Sequence, residues 1–297
     1  CLSLLYHEVS IYKANIFMTI TAHHIPVLLE EIKDLFSKKP IGRFLDGTVG
    51  LGGHAEMLLT SHPEITEYWA LDQDIEALTR AKERLMLFAE KVHFSHRNFV
   101  EGASLALSFD GILLDVGVSS MQLDLAERGF SFMRDGPLDM RMNRDPSEAT
   151  AADIVNTWNV RELTTLFVTL GEERKGKKVA EAICSMRRKK PFTTTRELAE
   201  LIEDVLGRHG SLHPATKIFH ALRIEVNKEL NVLQEAIPLL ANTLKLGGVF
   251  VCISFHSGED RIVKQNFQKL VQSKEFEFVV KKPLMAQSSE CRKNPRS

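Results

Sequence analysis

The segment FLDGTVGLGGHAEML, Phe44 to Leu58, restricts the folds open to this chain more than any other. An apolar run ends at Asp46, four glycines follow between Gly47 and Gly53, and a helix-like stretch begins at Gly53. A strand that turns through glycines into a helix is the first βα unit of an open α/β sheet, with the bare backbone of the turn free to touch a ligand. The rest of the first half agrees. Ile41–Asp46, Glu67–Asp72, Val92–Phe99 and Gly111–Ser120 read as strands or strands running into turns. Between them, Gly53–Thr60 reads as a helix. Asp74 is placed to cap another, whose Ile75, Leu78, Ala81, Leu85 and Phe88 keep helical spacing. Strands alternating with helices imply a parallel, doubly wound sheet.

Alternation stops near Gln122, and up to Leu212 only loop and helix patterns follow. This stretch, 122–212, is expected to be an inserted helical domain. From His213 to Gly248 the sequence reads as one long helix. Phe219, Leu222, Val226, Leu230, Leu233, Ile237, Leu240 and Leu244 form an apolar stripe, Pro238 is expected to kink it, and Gly247–Gly248 to end it. Val249–Phe255 then reads as a fifth strand, with a helix near Asp260–Val271 and a last strand near Phe276–Lys281.

The 297 residues, 44% of them hydrophobic, suffice for a large core. Net charge is −1, so any polyanion must meet a local patch. One exists: between Arg174 and Lys190 eight basic residues, among them Arg187 and Arg188, stand against the single acid Glu181. Such a run is either a solvated face or a nucleic-acid contact, and its concentration favours the contact. Cys1, Cys184, Cys252 and Cys291 form no CxxC pair and no zinc spacing, which points to reduced thiols in a cytosolic protein without a metal site. No run of about 18 apolar residues is present. The first 17 residues make a poor signal peptide, and Met18 reads as the natural start.

Gly50-Leu51-Gly52-Gly53-His54-Ala55 fits the dinucleotide pattern, and Asp72 ends the next strand, where a ribose-binding acid belongs. Asp46 argues for another ligand. Facing the crevice, its carboxylate would repel a pyrophosphate by on the order of 4 kcal/mol per charge pair at ~4 Å and an effective dielectric of ~20. A helix dipole offsets only roughly 0.3–1 kcal/mol of that. The same carboxylate attracts the ammonium and sulfonium groups of S-adenosylmethionine (SAM), which is the favoured ligand, with NAD as the alternative. At the other strand ends stand Asp115 with Val116–Ser120, and Ser254-Phe255-His256-Ser257. For methylation of an exocyclic amine, Asp115, His256, Ser254 or a backbone carbonyl of the turn is available as acceptor; Phe255 and Phe99 are available for stacking. No nucleophile elbow for a serine hydrolase is present.

Beyond these patterns, HIPVLLEE (His24–Glu31), DGTVGLGGHA (Asp46–Ala55), LLDVGVSSMQLD (Leu113–Asp124), RGFSF (Arg128–Phe132), PLDMRM (Pro137–Met142), GEE (Gly171–Glu173), FHALRIEVNKEL (Phe219–Leu230) and SFHSGEDRIVK (Ser254–Lys264) closely resemble, in order, blocks of the bacterial ribosomal RNA small subunit methyltransferase H family. The resemblance spans essentially all of residues 24–297. It implies a class I SAM-dependent methyltransferase, its SAM-binding domain formed by 24–121 and 213–297, with 122–212 as the RNA-recognition insert and 1–23 as an extension. It implies methylation of N4 of a cytidine in the decoding region of 16S rRNA, within the small ribosomal subunit in the cytoplasm, with a homodimer as an assembly to test. Cofactor contacts carry over to Gly52, Gly53, His54, Asp72, Phe99, Asp115 and Gln122. RNA contacts carry over to Arg141 and Arg223, beside the basic segment with Arg187 and Arg188. The chain departs from the family in having His220 for Gln, Gly258 for Leu, which is expected to loosen the helix after the fifth strand, and an end at NPRS before a short basic strand.

Overall fold

The computed structural model describes residues 26–208, 210, 212–280 and 282–285. The extension 1–23, the start at Met18 and the tail beyond Met285 lie outside the described residues.

Five strands, β1 (Arg43–Asp46), β2 (Glu67–Asp72), β3 (Val92–His96), β4 (Phe109–Asp115) and β5 (Leu244–Ile253), form one parallel sheet in the order β3-β2-β1-β4-β5. The order reverses beside β1, so the crevice between β1 and β4 is the switch point at which such sheets bind ligands. Period-2 alternation sends successive side chains to opposite faces. On one face Phe44, Tyr68 and Leu113 pack with Phe36 of α1 (Leu29–Phe36), Leu58 of α2 (Gly53–Ser61) and Leu78 of α3 (Ile75–Arg84). On the other, Leu45, Leu71 and Leu114 pack with Leu233, Ile237 and Leu240.

After β4, α4 (Ser120–Asp124) begins the insert, which continues through α5 (Ala151–Thr157), α6 (Val160–Thr169), α7 (Gly176–Met186) and α8 (Thr195–Leu206). Thr150 with Asp153, Asn159 with Glu162 and Thr194 with Glu197 make reciprocal caps that start α5, α6 and α8. These helices share one buried cluster with Phe130, Leu138 and Met140.

The expected long helix is two: α9 (Thr216–Val226) and α10 (Glu229–Ala241). Asn227 breaks it. Its Nδ2 donates to the carbonyls of Met140 (2.8 Å) and Arg223 (2.9 Å), and its Oδ1 accepts from the Met142 amide (2.8 Å). Lys228 follows in the left-handed region at φ 50°. The single apolar stripe therefore serves two cores: Phe219, Leu222 and Val226 join the insert's cluster, while Leu233, Ile237 and Leu240 join the sheet's. The insert's core thus reaches beyond the expected limit at 212. Gly247 and Gly248 end no helix; they lie in an irregular part of β5, where Leu244 pairs with Phe109 and Val249 with Gly111. The helix α11 (Ser257–Gln272) starts cleanly on His256 despite Gly258, whose amide donates to His256 Nδ1 at 3.2 Å. No strand forms over 276–280.

Candidate active site

The glycine loop is held in shape from below. The Val49 amide donates to the Leu71 carbonyl (2.9 Å), and Gly50 donates to Asp72 Oδ2 (2.9 Å). Gly52 sits at φ 78° immediately before α2, a conformation that glycine adopts without strain. A side chain on Gly53 would put its Cβ 2.4 Å from Pro26 Cγ, so the loop needs a bare backbone there too. The second oxygen of Asp72 accepts from the Asp74 amide at 2.9 Å. Asp72 thus joins the loop to the start of α3, and burial pushes its carboxyl up to about 7.

Above this loop lies a cleft of about 290 Å³. The sequence-derived candidates Gly53, His54, Asp72, Phe99, Asp115, Gln122 and Arg223 line it. Asp46 does not. It is 1% exposed, behind the loop, accepting from the Thr48 amide (3.1 Å) and the Tyr68 hydroxyl (2.9 Å). Burial pushes its carboxyl up to about 6, with the Tyr68 hydrogen bond acting against the rise. The direct attraction expected between Asp46 and a cationic ligand is replaced by an indirect role. Asp46 fixes the turn at Thr48, and the Thr48 hydroxyl accepts from the Asp115 amide at 2.6 Å. Gly52 also lies just outside the lining and acts through its backbone turn.

Asp115 and His54 face each other, with Asp115 Oδ2 and His54 Nε2 3.6 Å apart. Both ring nitrogens of His54 and Oδ1 of Asp115 are buried without a hydrogen-bond partner. Buried polar atoms are seldom left so, and at the wall of a cleft they mark where a polar ligand belongs. Gln122 is placed by its own cap: Oε1 accepts from the Ser119 amide (3.0 Å) and Nε2 donates to Asp74 Oδ2 (2.8 Å). Asp74 also accepts from the wholly buried Arg128 at 2.6 Å, and Arg128 donates onward to the carbonyls of Arg141 (3.2 Å) and Met142 (2.9 Å). Tyr68, Arg128 and Asn227 are site-building residues that sequence reasoning missed, because each acts through a partner distant in sequence.

Gly117, Phe255, Glu229 and Glu259 also line the cleft. Of the three side-chain acceptor candidates only Asp115 lines the cleft, together with the turn Val116–Ser120. Ser254 and His256 lie outside its lining. His256 instead caps α11, and its Nε2 lies 3.2 Å from Glu259 Oε1. The His220 ring meets the His256 ring edge-on, with centroids 4.5 Å apart. Burial, aided by Arg223 and His256, lowers His220 to about 4 and keeps it neutral. Glu229, His256 and Glu259 offer ligand atoms within 4.8 Å of one another, a metal-like grouping that spacing alone did not reveal. Glu229, however, is engaged in a two-pronged pair with Arg223, at 2.9 Å on each side.

The arginines proposed for RNA divide. Arg141 is consumed by the insert: it grips Asp139 through Nε and Nη2 (2.8 Å each) and donates to the Asp145 carbonyl (2.6 Å). Arg187 donates to the Val155 carbonyl (2.6 Å), whereas Arg188 is exposed on the surface. Arg174, Lys175, Lys177 and Lys178 are exposed at the start of α7, and the first two border a surface hollow with Lys217.

A family model described as the MraW methylase family matches residues 21–297. The chain is similar to proteins named ribosomal RNA small subunit methyltransferase H from several bacteria. It is 42% identical to that of Trichodesmium erythraeum over 278 residues, covering 93% of this chain and 95% of the relative. For Acaryochloris marina the figures are 44% over 279 residues, 93% and 91%. For a Geobacter species they are 43% over 299 residues, 93% and 95%.

Proposed function

The chain belongs to the MraW methylase family, and from that membership we propose that it methylates N4 of a cytidine in the decoding region of 16S rRNA, using SAM and acting on the small ribosomal subunit in the cytoplasm. The observation that carries the choice of cofactor is the charge of the cleft. Its two lining guanidinium groups are already neutralised, Arg84 by Glu56 (2.7 Å) and Arg223 by Glu229 (2.9 Å), while Asp115 Oδ1 and the half-buried Asp72 face it. A pyrophosphate would meet Asp115, and Asp72 where it is ionised, without a free arginine; a cationic, phosphate-free ligand suits them. This rests on Asp72 and Asp115 and not on Asp46.

The residues present fit SAM. Gly50–Gly53 would lie against its methionine part, Asp72 would accept from the ribose hydroxyls, Phe99 would border the adenine, and Gln122, His54 and Asp115 would supply the remaining polar contacts. When bound, SAM supplies a methyl group on a sulfonium whose electron pair stays with sulfur as the methyl leaves. The chain's own part is to align the amine with that methyl and to keep water out. A target base must leave its stack to reach the cleft, at a cost of a few kcal/mol, so the protein must grip the RNA beyond the base. Lys175, Lys177, Lys178 and Arg188 on the insert's surface suit that grip. Among the described residues no helix is long and apolar enough to cross a membrane.

Calorimetry separates the cofactors: SAM should bind and NAD should not, and the reverse outcome removes the reading. Single-turnover methylation of small subunits lacking the modification, followed by mass-spectrometric mapping, tests the target. A methyl group found at any atom other than a cytidine N4 refutes it.

A further inference from the structure

The cofactor assignment accounts for the end of the cleft bordered by the glycine loop, Asp72 and Gln122. It leaves Gly117, Phe255 and Glu259 of the same lining unassigned. We propose that the Phe255 ring is the platform on which the extruded base stacks, with Glu259 Oε1 as the acceptor for its exocyclic amine. This assignment rests on the cytidine reading above.

Phe255 is 49% exposed, although Ile253, two residues earlier in the same chain direction, is 6% exposed. Phe255 joins none of the three buried clusters or their surrounding shells. A half-exposed ring at the wall of a cleft offers an aromatic face on which a planar ligand can stack. Its backbone is nevertheless anchored: the Phe255 amide donates to Glu259 Oε2 at 2.8 Å, and Glu259 is 1% exposed in the first turn of α11. The ring therefore stands on a rigid base.

Gly117 lies against the ring. It has φ +107°, and a Cβ built there would lie 3.5 Å from Phe255 Cδ2 and 4.0 Å from Glu259 Oε1. The bare backbone of the β4 turn, the ring and the carboxylate oxygen thus border one space. A planar base can stack on the face of the ring turned away from Gly117, because aromatic stacking needs one free face and the ring is half-exposed. Phe99, the other aromatic candidate, is half-buried at the edge of the sheet core, beside Gly47 of the glycine loop.

The carboxylate also selects the base. Burial opposes charge on Glu259, but His256 beside it, the Phe255 amide and Arg223 outweigh burial and hold the carboxyl below the usual range. A carboxylate accepts from the N4 amine of cytosine, and it repels the O4 carbonyl that uracil presents at the same place. Methylation forms an N–C bond and leaves the nitrogen positively charged until one of its two protons departs to solvent. An anionic oxygen at that nitrogen stabilises the charge.

The experiment is single-turnover methylation of small ribosomal subunits by Phe255→Leu, Phe255→Trp and Glu259→Gln, with SAM affinity and melting temperature measured alongside. Phe255→Leu should lower the rate at subsaturating subunits by on the order of tenfold with SAM affinity unchanged, and Phe255→Trp should stay within about threefold of the parent. Glu259→Gln should slow the reaction at saturating subunits and relax rejection of a uridine at the target position. Leu and parent reacting alike, or Trp falling as far as Leu, overturns the platform. Because both Phe255 variants leave the Glu259 turn intact, they test the platform even where Glu259→Gln folds poorly. Mapping the parent's product judges the cytidine reading separately from these variants.

Discussion

Replacing Arg128 by Met should be the most damaging single change away from the cleft. The side chain has no exposure and spans four acceptors: Asp74 (2.6 Å), Glu76 (3.2 Å) and the carbonyls of Arg141 (3.2 Å) and Met142 (2.9 Å). Methionine fills much of the volume and supplies none of these bonds. It leaves Asp74, itself 2% exposed, as a buried charge without its cation. Breaking such a pair costs about 3–5 kcal/mol, to which the two deserted carbonyls add. We expect a loss of at least 4 kcal/mol, roughly 10 °C in melting temperature for a chain of this size. The two tryptophans report separately, Trp69 from β2 and Trp158 from the end of α5. Urea unfolding followed in Trp69→Phe and Trp158→Phe backgrounds should show the insert melting ahead of the sheet, because Arg128 ties the segment before α5 to the start of α3. Adding Asp74→Asn should recover at least ~1 kcal/mol, since Asn still caps α3 and no charge remains stranded. A loss under ~1 kcal/mol, or a double variant no better than the single, would refute the reasoning.

The remaining expectations concern charge and backbone. Lys178→Gln and Arg188→Gln should each weaken subunit binding and lower its salt slope by about one, as exposed phosphate contacts do; Arg141→Gln should cost stability without that change in slope, and filter binding across salt concentrations distinguishes them. Asp46 and Asp72 have carboxyls raised to about 6 and about 7. A raised acid contributes stability that is present below its unfolded pKa and lost as pH rises through the folded one. The ligand-free protein should therefore melt lower at pH 8 than at pH 5 on their account, and Asp46→Asn should shrink the difference. For the same reason SAM affinity should strengthen as pH rises through about 7, with Asp72→Asn flattening the trend; an unchanged trend in that variant would remove Asp72 from the site. Lys228→Gly should gain about 0.5–1 kcal/mol in chemical denaturation, because Lys228 sits at φ 50° and its pair with Glu225 is exposed. A loss there would contradict the strain.

Much of the cleft lining was legible in the sequence because chain neighbours build it. The glycine loop, Asp72, Asp115 and Gln122 each follow or end a strand, and one strand end in a parallel sheet lies beside the next. Asp46 misleads for the same reason. It does stand at a strand end, but which face its side chain takes depends on the pleat, and Tyr68 claims it from below. His256 and Ser254 stand at the expected strand end yet lie outside the cleft lining. Arg141 and Arg187 look like RNA ligands in sequence, and their bonds to Asp139 and to the Val155 carbonyl exist only once the insert folds.

The sequence by itself determined the parallel sheet, the helical stretch after the fourth strand and the glycine turn between the first strand and its helix. These follow from periodicity, turn chemistry and family blocks, all carried by residues close together in the chain. The tertiary structure alone decided where the apolar stripe from Phe219 to Leu240 breaks. A helix of that pattern is continuous by every local rule, yet Asn227 ends it because Met140 and Met142 offer their backbone at that point. It also decided that Phe255 stands open while Phe99 packs at the sheet's edge. Two phenylalanines near strand ends are alike in sequence, and burial depends on what the rest of the chain brings against each.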